Sequence, residues 1–345
     1  MIKNRAFLIT LLCLVISLPG CANNNSYKLA FSCLGTTAEI NVPVRNVSLS
    51  DVKKACAASK AKIAWIDRTL SIFDRRSPVS AINNNSAKKG YRLNPELYLL
   101  IRRCEEYFVL TQGAFDITVE PIVNAWGFGP DKKKTPDDKA IREMLHYVGM
   151  DKMELRDVDK TVYFKDPRVK MDFGGVADGY AVDETIKILK RSGIRSAIVN
   201  VGGELYCLGD NYAKKYWSIG IRNPDNKDEL IATLNVRDKA VATSGDYENF
   251  NISGGERYAH IVDPRTGRTV KNNLRSVTVL ADDCTTADAL ATAIFVMGEK
   301  RGIDLINKLT DIDCFLVVKD GTNLKIRMSN GMKKYLAQKC EIKKE

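Results

Sequence analysis

Asp288 and Thr292 stand four residues apart in CTTADALATAIFVMG at 284–298, whose apolar content and threonine-rich start predict a helix. At that spacing a carboxylate and a hydroxyl share one helix face. Two hard oxygen donors so placed suit Mg2+, which takes few protein ligands and completes its shell with water and substrate phosphate. An acid near a helix start also favours the positive end of the helix dipole with no metal present, and the helix alone leaves both readings open. A second stretch with chemical content is MDFGGVADGYAVD at 171–183. Val169 and Met171 flank Lys170, Gly174 and Gly175 break the pattern, and Ala181, Val182, Ile186, Ile188 and Leu189 resume it at near-helical spacing, which predicts strand, turn and helix. Paired glycines at a helix entry let a ligand reach main-chain N–H groups, and the helix N-terminus favours an anion such as phosphate. A tight helix entry with no ligand accounts for the same residues. The spacing matches neither the dinucleotide fingerprint nor the P-loop.

These residues need elements to hold them. Helical spacing runs from Leu49 to Leu70 with Ser50 or Asp51 as N-cap, and a second helix is predicted from Pro95 to about Thr111. Between them LSIFDRRSPVSAINNN at 70–85 has loop composition, and its two arginines suit contact with an anion or a plain solvated surface. GAFDITVEPIVNAWGFGP at 113–130 cannot be one regular element; it is either a packed surface loop or a pocket wall whose aromatics stack on a planar ligand. Residues 137–148 predict a helix, and 152–156 with 161–164 a hairpin leading into the strand at 169–171. SAIVNVGGELYCLG at 196–209 predicts strand, break, strand, with more strands at 216–221, 230–236, 239–243, 258–262 and 276–281. The helix at 284–298 begins with threonine caps, and a last helix and hairpin pass through Val317 and Ile326.

At 345 residues and 45% hydrophobic content the chain can bury a substantial core and is not disordered. Lys3 and Arg5 precede the apolar run AFLITLLCLVISL at 6–18, followed by Pro19, Gly20 and Cys21, which predicts a secretory signal peptide over 1–20. LPGC resembles a bacterial lipobox, making Cys21 the lipidated first residue, 21–30 a tether and 31–345 the domain; ordinary cleavage nearby is the alternative. Loss of Lys3 and Arg5 leaves 51 basic residues against 42 acidic, a diffuse +9 without an interleaved basic and aromatic stripe, so no nucleic-acid groove is expected. Of nine cysteines, Cys13 leaves with the signal peptide and Cys21 is the anchor; the seven that remain, without CxxC spacing, indicate neither a disulfide framework nor a zinc site.

MDFGGVADGYAVD, VNVGGELYCLG, ATSGDYENF, YAHIVDPRTGRTV and TTADALATAIFVMG, in that order, resemble the ApbE family, the FAD:protein FMN transferases. LSIFDRRSPVSAIN and GAFDITVEPIVNAWGFGP extend the resemblance over roughly residues 30–330. It implies an α+β fold with T-fold-like halves, mixed and antiparallel sheets, and packed helices. It implies an exported bacterial lipoprotein, anchored in the membrane on its periplasmic side, that splits FAD in the presence of Mg2+, releases AMP and attaches FMN to a threonine or serine of an acceptor flavoprotein such as a redox-pump subunit. Carried over by motif, the metal ligands are the Ala177 carbonyl, Asp288 and Thr292. Flavin contacts are Ser71, Ile72 and Phe73, then Ala114, Phe115 and Asp116, then Gly174 and Tyr180.

The attacking hydroxyl needs a base, and His146 and His260 are the only histidines in the chain. His260, within the family-like YAHIVDPRTG, is assigned as base or substrate-positioning group, with Asp263 as its orienter. Two positions depart from the family pattern: Phe73 stands where many relatives carry Tyr, and Asp178 where they carry Lys or Glu. Both changes bear on whether a protein hydroxyl or water accepts the FMN, so an FAD pyrophosphatase yielding FMN and AMP is the second reading. A non-catalytic FAD-binding lipoprotein is the third.

Overall fold

The computed structural model describes residues 26–128, 135–212, 214–226, 228–246, 250–253 and 256–337. The signal peptide, Cys21 and Lys132–Lys134 lie outside the described residues. Among the described residues no helix is long and apolar enough to cross a membrane.

The chain begins with β1 (Ser26–Cys33) and β2 (Thr36–Pro43), then α1 (Leu49–Leu70), α2 (Pro78–Lys89), β3 (Tyr91–Arg92), α3 (Pro95–Leu110), α4 (Glu120–Ala125) and α5 (Asp138–Leu145). It continues through β4 (Met153–Arg156), β5 (Thr161–Phe164), α6 (Ala177–Arg191), β6 (Ala197–Val201), β7 (Glu204–Leu208), β8 (Trp217–Arg222), β9 (Leu230–Val236) and β10 (Lys239–Gly245). The rest comprises β11 (Phe250–Ser253), β12 (Glu256–Ala259), β13 (Val262–Asp263), β14 (Arg268–Thr269), β15 (Leu274–Ala281), α7 (Cys284–Met297), α8 (Glu299–Ile306), β16 (Asp313–Asp320) and β17 (Asn323–Met328). This is the expected mixture of helices and antiparallel sheets.

An eight-stranded antiparallel sheet, ordered β1-β2-β6-β7-β10-β15-β16-β17, is the scaffold. Its central strands are buried on both faces, so they are apolar almost throughout, and the two-residue alternation sorts them between two cores. Ala197, Val199, Val201, Tyr206, Ala240, Ala242, Val277 and Val279 face the helical layer. Ile198, Leu205, Cys207, Val241, Leu280 and Phe315 face the opposite layer, where the β8–β9 hairpin packs. The helical layer includes α1, α6 and α7. Nearly every residue of α7 from Cys284 to Val296 is buried, as expected of a helix apolar on all sides.

Several local expectations differ from the structure. Residues 78–89 are helical, because Ser77 caps Ser80 N–H, Pro78 opens the first turn, and Val79, Ile82, Asn83 and Ser86 are buried at helical spacing. Residues 169–171 form no strand: Lys170 makes one isolated parallel bridge to Val119, and Asn83 clamps the Met171 backbone, accepting from its N–H at 2.8 Å and donating to its carbonyl at 2.9 Å. The strand at 258–262 is interrupted, with β12 ending at Ala259 and β13 starting at Val262. Asp283, not a threonine, caps α7. The hairpin β1–β2 had no sequence expectation at all.

Two stability effects follow. A Cβ on Gly179 would collide with the Cys284 carbonyl and lie 2.8 Å from Asp288 Cβ, both on the neighbouring helix. Gly179→Ala is expected to cost about 3 kcal/mol in urea denaturation, because neither backbone can yield. Asp116, which accepts from Thr118 N–H at 2.7 Å and Thr118 Oγ1 at 2.6 Å, has its carboxyl pushed up by burial to about 6. With an unfolded value near 4, the fold prefers the protonated group, so this contribution is complete below about pH 4 and is lost as pH rises through about 6. Relative to Asp116→Asn, the wild type is expected to lose about 2 kcal/mol between pH 4 and pH 8, read from denaturation curves at the two values.

Candidate active site

The site lies where the N-termini of α6 and α7 meet. After the Met171 clamp, Asp172 N–H donates to the Ile117 carbonyl at 2.7 Å, and Asp172 Oδ1 accepts from Gly174 N–H at 2.8 Å, which closes the turn into α6. Gly175 follows, and a Cβ there would sit 3.5 Å from Thr292 Oγ1 and 3.5 Å from Phe115 Cε2. Gly179 N–H donates to Asp288 Oδ2 at 3.0 Å. The 175–179 segment therefore touches Thr292 at one end and Asp288 at the other, with Ala177 midway between the two contacts. All three expected metal ligands occupy one corner.

Sheet register adds a fourth group. Ala240 and Ala242 face the helices, and Ser244, two residues further along the same face of β10, brings its hydroxyl to 3.4 Å from Thr292 Oγ1. At the N-terminus of α6 one amide, Gly179 N–H, is taken by a protein anion, Asp288.

Burial raises the Asp288 carboxyl well above the ordinary carboxylate value; the Gly179 N–H offsets part of this and the nearby Asp183 charge adds to it. Among the described residues no basic side chain forms an ion pair with Asp288. A buried carboxylate with one N–H partner and no cation, beside a hydroxyl and a backbone turn, fits a divalent ion. Asp288, Thr292 and the Ala177 carbonyl offer oxygen donors, a hard set that suits Mg2+ better than Zn2+.

The expected flavin contacts fall into two kinds. Ala114, Phe115 and Asp116 are buried, and Phe115 packs edge-on against Tyr107 with ring centroids 5.8 Å apart, so these side chains support the turn from behind. Tyr180 is also buried, with Glu184 and Glu96 near its phenol, toward α1 and α3. Ser71, Ile72 and Phe73 form the loop after α1, and Phe73 is 66% exposed. Ser71 Oγ accepts from Phe73 N–H at 3.2 Å and Asp74 N–H at 3.1 Å, so backbone bonds hold the exposed ring in place.

His260 is half-buried in the gap between β12 and β13, whereas His146 is exposed at the end of α5 against Tyr147. The Asp263 carboxylate is gripped by Arg265, whose Nε and Nη2 each donate at 2.9 Å. The six cysteines among the described residues are buried and free.

Sequence reasoning missed the β1–β2 turn. A Cβ on Gly202, in the β6–β7 turn, would meet the Asp178 carboxylate and lie 3.1 Å from Thr36 Cγ2, so both turns converge on the start of α6. Leu34 and Gly35 both have positive φ, 49° and 76°, the requirement of a two-residue hairpin turn, and the alternation on either side was the available signal. It also missed Asp183, whose carboxylate accepts from Cys284 N–H at 2.7 Å and Thr285 N–H at 2.9 Å.

Comparison with known proteins agrees with this arrangement. The family model described as the ApbE family matches residues 34–316. The FAD:protein FMN transferase of Vibrio cholerae is 30% identical over 339 residues, 97% of this chain and 100% of that one. The FAD:protein FMN transferase of Haemophilus influenzae is 28% identical, covering 93% and 95% of the two chains. Among solved structures, the flavin transferase ApbE from Vibrio cholerae superposes with a TM-score of 0.82 at 29% identity, covering 90% of this chain and 99% of that one. The ApbE protein of Thermotoga maritima gives 0.82 at 32% identity, covering 91% and 100%. With a matching scaffold and a family match that spans the helical corner and the sheet beneath it, the chain belongs to the ApbE family.

Proposed function

We propose that the chain is an FAD:protein FMN transferase that moves FMN from FAD to a threonine or serine hydroxyl of an acceptor flavoprotein and releases AMP, with Mg2+ held by Asp288, Thr292 and the Ala177 carbonyl. The observation that carries this reading is the convergence of Asp288 and Thr292 on the 175–179 turn, with Asp288 buried and lacking a basic partner among the described residues. The names of the relatives support the same activity.

A divalent ion in that corner would neutralise charge on the FAD pyrophosphate as its phosphorus is attacked. The chain's own residues orient and exclude. Phe73 offers its exposed ring to the flavin, and the open 174–175 turn lets the phosphates approach the backbone. The acceptor Oγ forms a bond to the FMN phosphorus, the bond from that phosphorus to the oxygen bridging to AMP breaks, and AMP leaves with the electron pair. His260 takes the hydroxyl proton.

Phe73 and Asp178 favour a second reading, FAD hydrolysis with water in place of the acceptor hydroxyl. Phe73 lacks a phenol, and Asp178 places a carboxylate against the β1–β2 and β6–β7 turns at the start of α6. Export follows from the sequence of residues 1–21, which supports a lipid anchor on Cys21 and a periplasmic location.

Incubating the protein with FAD, Mg2+ and a threonine-containing acceptor, then measuring AMP and acceptor mass, separates the readings. Transfer yields AMP and an acceptor heavier by FMN; AMP with free FMN supports hydrolysis, and neither product leaves binding alone. Asp288→Ala is expected to abolish Mg2+-stimulated AMP release, and retention of that stimulation rules out the metal corner. His260→Ala is expected to bind FAD normally and lose about 10²–10⁴-fold in transfer rate; unchanged turnover removes His260 from the reaction.

A further inference from the structure

Asp183 lies one turn beyond Gly179 on α6 and is almost fully buried, and its carboxylate bonds to the start of α7. Its Oδ1 accepts from Cys284 N–H, and its Oδ2 accepts from Thr285 N–H and from Thr285 Oγ1. Asp283 supplies the partner for the next amide, accepting from Thr286 N–H at 2.8 Å. The Asp283 carbonyl accepts from Ala287 N–H at 3.2 Å. The three amides from Cys284 to Thr286 that lack a partner within the helix are thus accounted for, two of them by a residue of a different helix.

The exchange is mutual. From its own first turn α6 gives Gly179 N–H to Asp288 of α7, and α7 gives two amides to Asp183 of α6. These bonds lie on either side of the contact where Gly179 meets the Cys284 carbonyl. Two clasps on either side of one contact fix both the height and the rotation of α7 against α6. Rotation is what decides whether Asp288 and Thr292 point at the 175–179 turn, because a residue on a helix moves about 100° around the axis per position. Arg103 steadies the second cap from outside, with Nη2 donating to Asp283 Oδ1 at 2.5 Å, to Tyr107 Oη at 2.6 Å and to Thr286 Oγ1 at 3.1 Å.

We infer that Asp183 is the positioning residue of the metal corner: by capping α7 from α6 it sets the geometry in which Asp288 and Thr292 meet a divalent cation, without touching that cation. This rests on the transferase reading only in its metal site, and applies equally to hydrolysis of FAD.

The test uses the full exported chain. Mn2+ alone, titrated into FAD-free protein and followed by electron paramagnetic resonance, reports cation affinity without turnover. AMP release over a range of Mg2+ concentrations gives the half-saturating metal concentration and kcat separately. Asp183→Asn is expected to weaken Mn2+ binding and raise half-saturating Mg2+ by about tenfold or more, with kcat largely recovered at saturating Mg2+. Thr285→Val, which removes one donor and keeps both amide bonds, is expected to shift the same quantities by about threefold. Val317→Ala, a core truncation on the opposite face of the sheet, serves as the control that lowers stability without moving metal affinity. If folded Asp183→Asn binds Mn2+ as the wild type does, the inference is overturned. If that variant does not fold, unchanged Mn2+ affinity in Thr285→Val overturns it. Loss of Mn2+ binding in Asp288→Ala tests the metal site itself, so failure there is distinct from failure at Asp183.

Discussion

The amide groups at the starts of α6 and α7 set the terms for the whole site. Helix N-termini leave N–H groups without partners, and here two of them approach so closely that a single methyl at Gly179 would strike the Cys284 carbonyl. There is no room for water in such a contact, so the partners must be side chains brought by the opposite helix. Asp288 and Asp183 are those side chains. The residue best placed to bind a cation is therefore also a structural cap, and one of its oxygens is committed to the fold. The sheet beneath supplies the remaining coordinate, since its alternation points Ser244 at the Thr292 hydroxyl.

Charge accounting around the α7 start is unequal. Asp183, Asp283 and Asp288 lie within this region, and Arg103 is the guanidinium that reaches it. Burial opposes ionisation of Asp283, but Arg103 and the Thr286 amide outweigh it and hold that carboxyl below its ordinary value. Burial keeps the Asp183 carboxyl raised, with the Asp283 charge adding to it despite the donors from Cys284 and Thr285. Asp288 has one amide and no cation, and its carboxyl is raised as well. At low effective dielectric an unmatched carboxylate is costly unless it protonates or gains a cation. The shortfall of positive charge thus falls on the residue that faces the open turn, where an ion can enter.

How much of this was legible in the sequence depended on whether a feature was local. The helices at 49–70, 95–110, 177–191 and 284–297 and the paired strands around Gly202-Gly203 declare themselves by periodicity and breakers within a short window. Asp288 and Thr292 were visible because i and i+4 on one helix is a local relation. Residues 78–89 were misjudged because Asn and Ser weigh against a helix by propensity, while the burial of Val79 and Ile82 that overrides it is tertiary. Asp183 was invisible for the same reason: its partners are about a hundred residues away, and nothing near it in sequence says that it faces two amides of another helix. Asp263 shows a local partner instead, since Arg265, two residues on, takes its carboxylate through a tight turn.

The two sides of the site are built to different standards, and that difference is itself informative. The corner of Gly179, Cys284 and Asp288 is buried, with Gly179 fitted to the neighbouring backbone. Ala114, Phe115 and Asp116 form a buried back wall, while Phe73 projects into solvent. That exposure is not slack in the loop: Ser71 takes the amides of Phe73 and Asp74, and the Ser71 carbonyl accepts from Ser77 Oγ at 2.5 Å. A large aromatic ring held outward by backbone bonds leaves apolar area in water that a planar ligand can cover at little cost in ordering. In the proposed transferase the buried corner and the exposed ring would bracket FAD from its two ends.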